Sequence, residues 1–134
     1  MIKQLTYLLT LASFILVSAQ LMGQVTTTKT ANGPWSNASK WDNGVPTSID
    51  DAIINTGNTN ANSNGVCNDL EIKTGSNLNV GATLTVNGEL NIESGINLQI
   101  TGELDVKGNI SLSSTKVMDV GGEITFYSPF DIGQ

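Results

Sequence analysis

The side chains with reactive chemistry fall into four groups, and each would imply a different activity. Glu103 and Glu123 hold equivalent places in two successive repeats of the chain, and Asp105 lies between them. On a chain coiled at that repeat the three carboxylates would converge, as a cation site or as the acids of a polysaccharide lyase or hydrolase. Asp50 and Asp51 are adjacent and have the donor type of a calcium pair. Trp35 and Trp41 offer flat faces of the kind on which a pyranose ring stacks. Cys67 is the only thiol, so it has no intrachain disulfide partner.

Each group also has a plainer reading. The chain contains no histidine and no arginine, which removes imidazole acid–base chemistry and bidentate guanidinium clamps. A lyase needs a lysine or arginine base beside its acids, but no lysine shares the columns of Glu103, Asp105 and Glu123; Lys73 falls instead opposite Glu93, as a cross-coil ion pair. The three acids therefore read as solvated surface. Asp50 and Asp51 lie between a turn and a strand, where carboxylates accept local backbone N–H bonds. Cys67 reads as a small buried apolar residue. No catalytic residue, metal or cofactor is expected, and the chain reads as a non-enzyme.

The elements that must position these groups follow from one period. From Leu70 onward, apolar-x-apolar pairs (Leu70/Ile72, Leu78/Val80, Leu84/Val86, Leu90/Ile92 and their successors to Phe130/Ile132) follow an 8-6-6 spacing, and the cycle repeats three times. LEIKTGSNLNVGATLTVNGE at 70–89 thus lies over LNIESGINLQITGELDVKGN at 90–109, with Gly75 over Gly95 and Gly88 over Gly108. A single coil of three short strands cannot bury its inward side chains, whereas stacked coils can. The spacing predicts an all-β, single-stranded parallel β-solenoid of triangular section, right-handed, with 20-residue coils. Strand-to-strand spacing is then roughly 4.8 Å. Leu70, Leu90 and Ile110 form one interior column, while Glu71, Asn79, Thr85 and Asp105 point outward. Glycine and asparagine at the corners are expected to supply positive φ. An antiparallel sandwich does not keep an 8-6-6 spacing in register, and Thr83-Leu84-Thr85 is not repeated in the next coil, so an ice-binding Thr ladder is absent.

Residues 1–23 read as a secretory signal: Lys3, an apolar run over 5–17, then small residues with cleavage after Ala19 or Gly23. The run is shorter than the roughly 20 residues of a bilayer span, so no membrane span is expected after cleavage. Beyond residue 23, five lysines face twelve acids, a net charge of −7. Nucleic acid is excluded as a partner on that balance. The remainder divides into a cap segment of loops around short strands at 24–69, with one strand-like run at Asp51-Ala52-Ile53-Ile54, and coils at 70–134. The coils are expected to be incomplete: Phe130-Asp131-Ile132 enters a further turn with nothing polar closing it, which points to a truncated protein or to end-to-end stacking through Phe126, Phe130 and Ile132.

The opening segment GPWSNASKWDNGVPTSIDDAIINTG, residues 33–57, sets Trp35, Trp41, Gly44, Pro46, Asp50, Asp51 and then Ile53-Ile54 ahead of Leu-x-Ile coils. This order resembles the start of exported bacterial β-helix surface proteins and of the Gly-rich extracellular G8 domain, over about residues 33–126. The later coils depart from that pattern in losing turn glycines. The resemblance implies an address outside the cell and leaves activity open, because such coils serve adhesins, sugar-degrading enzymes and surface layers.

The resulting expectation is a non-catalytic structural or adhesive module of a secreted or cell-surface protein, partnered by extracellular polysaccharide or by its own open coil. One alternative is the N-terminal part of a β-helix enzyme acting on polysaccharide, with active residues beyond Gln134. Another is a carbohydrate-binding module using Trp35 and Trp41, against which stands their use as a plug for the open end of the coil.

Overall fold

The computed structural model describes residues 23–113 and 117–127. The signal segment up to residue 22, and with it the cleavage position at Ala19, lies outside the described residues, as do Phe130 and Ile132.

In chain order the strands are β1 (Thr26–Lys29), β2 (Gly33–Pro34), β3 (Asp51–Ile54), β4 (Gly57–Ala61), β5 (Gly65–Cys67), β6 (Leu70–Ile72), β7 (Ser76–Val80) and β8 (Thr83–Val86). They continue as β9 (Leu90–Ile92), β10 (Asn97–Ile100), β11 (Glu103–Val106), β12 (Ile110–Leu112), β13 (Val117–Val120) and β14 (Glu123–Phe126). A 3-10 turn at Ala38–Lys40 is the one helical element among the described residues, and the Asn37 side chain caps it by accepting from the Ser39 N–H at 3.0 Å.

Every strand pairs in parallel with its counterpart in the neighbouring coil. Three sheets result, in the orders β1-β3-β6-β9-β12, β13-β10-β7-β4-β2 and β14-β11-β8-β5. The chain is an all-β parallel solenoid of about four turns, as its period predicts. Register in the regular part keeps that period: Leu70 pairs with Leu90 and Leu90 with Ile110, and Leu84 pairs with Leu104 and Leu104 with Ile124. Period-two alternation then buries Leu70, Ile72, Leu78, Val80, Leu84 and Val86 in a shared lumen and leaves the residues between them outside.

The coiling begins before Leu70, where loops around short strands are expected. β3, β4 and β5 form a complete coil, and β1 with β2 begins another. Ala52 pairs with Leu70, Thr59 with Leu78 and Gly65 with Leu84, so this coil advances by less than the regular repeat and falls out of phase with it. Its inward residues include Ala52, Thr59, Ala61, Gly65 and Cys67, which are small where later coils place Leu, Ile and Val.

The corners also differ from expectation. Positive φ is confined to glycine among the described residues, at +86° in Gly75 and +77° in Gly95 at the same corner of successive coils. No described asparagine adopts it. Gly88 and Gly108 answer a different need: a Cβ on Gly108 would lie 2.2 Å from the Gly88 carbonyl oxygen, so the coils approach too closely there for any side chain.

Candidate functional site

The N-terminal end of the lumen is closed by aromatic side chains. Trp35 and Trp41 are 1% and 4% exposed, with ring centroids 5.0 Å apart in an edge-to-face arrangement. The Trp41 Nε1–H donates to the Trp35 carbonyl at 2.8 Å. Trp35 fits because the coil beneath is small: a Cβ on Gly65 would stand 3.0 Å from Trp35 Nε1 and 3.0 Å from Leu84 Cδ1. Stacking a sugar needs an open ring face, and neither indole presents one here; their burial fits a plug.

Beside them lies a residue that sequence reasoning passes over. Lys29, at the end of β1, is fully buried, with its Nζ 4.7 Å from the centre of the Trp41 ring and donating to the Pro34 carbonyl at 2.7 Å. Burial, reinforced by the nearby Lys40 ammonium, brings its pKa down to about 8. The alternating Thr27 and Lys29 of a TTTK run ahead of the tryptophans was the available signal, since both point inward.

The carboxylates are engaged in holding the chain together. Asp50 accepts from the Thr47 hydroxyl at 2.5 Å and from the Thr47 and Val25 N–H groups, and the Thr47 hydroxyl foremost holds its carboxyl below the usual range. Asp51 Oδ1 accepts from Gln24 Nε2, Asn68 Nδ2 and the Asp69 N–H. Asp50 is thus bonded locally through Thr47, as a carboxylate beside a turn is expected to be, whereas Asp51 departs from that expectation by accepting from donors of neighbouring coils. Asp42 ties the same region, accepting from the Thr28 N–H at 2.6 Å, and that bond lowers its pKa. Glu103 pairs in register with Thr83 and Glu123, and Asp105 with Thr85 and Thr125, so the expected columns form. Thr83 donates its hydroxyl to Glu103 at 3.2 Å. No group of three metal-ligating side chains assembles among the described residues. Lys73 reaches Glu93 at 3.6 Å across one coil and Glu71 at 2.9 Å within its own. Cys67 is buried and free, and burial pushes its thiol upward.

The outer face of the middle sheet has a separate character. Over β4, β7 and β10 its outward residues are Asn58 and Asn60, Asn77 and Asn79, and Asn97 and Gln99, stacked in two columns of amides. They line a shallow groove of about 310 Å³. The recurring signal was NTN, NLN and NLQ at nearly constant intervals, of which sequence reasoning drew only Asn77 over Asn97 and an outward Asn79.

Of the expected stacking edge, Phe126 is on the last described strand of its sheet and is 44% exposed, near Tyr127 at 65%. Leu112 and Ile124 beside it are half-buried and border a small apolar void of about 30 Å³. No helix among the described residues is long and apolar enough to cross a membrane. No family model, curated protein or solved structure matches this chain.

Proposed function

We propose that the chain is a non-catalytic structural or adhesive β-solenoid module of an exported or cell-surface protein. The observation that carries this reading is that outward polar side chains are spent on joining one coil to the next. Glu93 accepts from the Thr74 N–H and hydroxyl and meets Lys73, Asp69 accepts from the Glu89 N–H, Thr83 donates to Glu103, and Lys107 donates to Asn87. Carboxylates engaged in this way link neighbouring coils, and together they stiffen a stack that is otherwise held by backbone ladders and a narrow lumen. The Trp-bearing opening, with its resemblance to exported bacterial β-helix proteins, supports the extracellular address.

Incubating the purified chain with neutral and acidic polysaccharides should release no reducing ends and no unsaturated products; release of either would sink the reading. Fusing residues 1–30 to a periplasm-dependent reporter should yield active reporter with the leader removed.

A second reading is favoured by one observation. Among the described residues, half-buried Leu112 and Ile124, with Phe126 exposed, form an apolar surface on which further coils would seat. The chain would then be the first part of a longer β-helix enzyme acting on polysaccharide. Reading the gene past codon 134 distinguishes the two, because further coils carrying clustered Asp, Lys and Arg would favour the enzyme.

A further inference from the structure

The sequence holds four Asn-Gly steps, at Asn32-Gly33, Asn43-Gly44, Asn64-Gly65 and Asn87-Gly88. Such a step is able to react with itself, because a glycine has no Cβ to keep its main-chain nitrogen from the preceding asparagine Cγ. Two kinds of hydrogen bond oppose this: one that ties down the glycine main chain, and one that pins the asparagine side-chain oxygen. Three of the four steps have both. Gly33 and Gly65 are ladder residues, paired with Thr59 and Leu84, and the Gly88 N–H donates to the Asn68 carbonyl at 2.8 Å. Their asparagine oxygens are held as well: Asn32 Oδ1 accepts from the Asn58 N–H, Asn64 Oδ1 from the Thr83 N–H and Asn87 Oδ1 from Lys107 Nζ. Asn43-Gly44 has neither. Gly44 lies outside every strand at φ +87°, its N–H donates to no described residue, and a Cβ built on it would meet nothing within 4 Å. Asn43 is exposed, and its side chain makes a single bond, from Nδ2 to the Thr26 carbonyl at 2.9 Å.

From this contrast we infer that Asn43 is a site of self-modification, which deamidates in the folded chain and thereby loosens the edge of β1. The Gly44 nitrogen loses its proton and bonds to Asn43 Cγ, and the side-chain nitrogen leaves as ammonia. Water then opens the cyclic imide: attack at Cγ gives aspartate, and attack at the main-chain carbonyl gives isoaspartate. Either product adds one negative charge. The consequence follows from where Asn43 sits. β1 is the end strand of its sheet, and residues 40–43 cover its outer edge. Thr30 N–H donates to the Lys40 carbonyl at 2.8 Å, Thr28 N–H to Asp42 Oδ1 at 2.6 Å, Asp42 N–H to the Thr28 carbonyl at 3.0 Å, and Asn43 Nδ2 closes the row on Thr26. A carboxylate has no proton to donate, so both products lose the Thr26 bond and set a second charge beside Asp42. Isoaspartate also lengthens the main chain by one methylene, which displaces the Gly44 carbonyl from the buried Thr27 hydroxyl that donates to it at 2.8 Å. Conversion is irreversible, so the altered fraction records the time since folding. The inference goes beyond the module reading and does not rest on it.

Holding the folded chain in mildly alkaline buffer and mapping its peptides by mass spectrometry tests this, with isoaspartyl methyltransferase labelling to locate the rearranged product. Asn43 should convert roughly tenfold or more faster than Asn32, Asn64 or Asn87, the difference that freeing two hydrogen bonds makes to a rate. In denaturant the four steps should converge, because the dipeptide is the same and the bonds that separate them are gone. Asn43→Gln should stop conversion at this position, its longer side chain closing the ring far more slowly. Asn43→Asp reproduces one product and should lower the unfolding midpoint, since it cannot donate to Thr26. Similar rates at all four steps of the folded chain, a lead by any of the other three, or an Asn43 that converts only in denaturant would each overturn the site. An Asn43→Asp midpoint equal to that of the unmodified chain would overturn the effect on β1.

Discussion

The coil at 51–67 and the coils that follow it solve one packing problem in two ways. From Leu70 onward each coil fills its own share of the lumen with Leu, Ile and Val, one layer resting on a layer of the same kind. The earlier coil brings small residues and borrows volume from outside the repeat, chiefly the Trp35 indole set against Gly65. A stack can propagate by repetition, but its first layer has no copy beneath it, so an unrelated shape must complete it. That solution has a cost at this end, where the buried lysine and the unpartnered Trp35 Nε1 and Thr59 Oγ1 lie.

The largest effect should come from removing the borrowed volume. Trp35→Ala is expected to lower unfolding free energy by about 3–5 kcal/mol in denaturant titration. A loss under about 1 kcal/mol would mean that the first coil does not depend on the indole. The regular coils are instead vulnerable where their backbones touch. Gly108→Ala drives a Cβ into the Gly88 carbonyl and should cost about 1–3 kcal/mol. Gly75→Ala, in open space but at φ +86°, should cost only the left-handed penalty of about 1–2 kcal/mol.

A smaller effect distinguishes the ends by pH. Lys29 has its pKa depressed from 10.5 to about 8 by burial, so between those values the unfolded chain holds a proton that the folded chain has lost. Stability from this group therefore rises with pH from about 8 to 10.5 and is flat below 8. The buried Cys67 thiol acts oppositely above pH 9, its folded pKa being raised, so the measurement belongs in a Cys67→Ala background. There, Lys29→Met should flatten the rise; an unchanged pH profile would place the ammonium in water. The smallest effect is Glu93→Gln on the regular coils. The Thr74 N–H foremost holds the Glu93 carboxyl low, so its contribution is present near neutrality and fades as pH falls through the acid range. The change in midpoint should be slight for so exposed a group.

Legibility followed the same division. The 8-6-6 spacing placed Leu70 over Leu90 and Glu103 beside Thr83 and Glu123 because an interior column tolerates no slip: a shift by a single position would turn the apolar set outward. The coil at 51–67 was hidden because its shorter advance, from Ala52 to Leu70 and from Thr59 to Leu78, breaks the period. Thr59, Ala61 and Gly65 also do not read as apolar pairs once a tryptophan from elsewhere supplies the bulk. Asn79 was legible as an outward position but not as an unsatisfied one. That state depends on which neighbouring amides bond to each other, and identical residue types in adjacent columns chose differently.

The parallel register has a mechanical meaning. Each regular coil is joined to the next by bonds that advance one full period, with no strand reaching across two layers. A pull on the C-terminal side should therefore peel the fibre one layer at a time, each rupture freeing a segment of roughly 70 Å when drawn out. The tryptophan-filled end would be the last to yield, so extension would proceed in near-equal increments before the final layer opens.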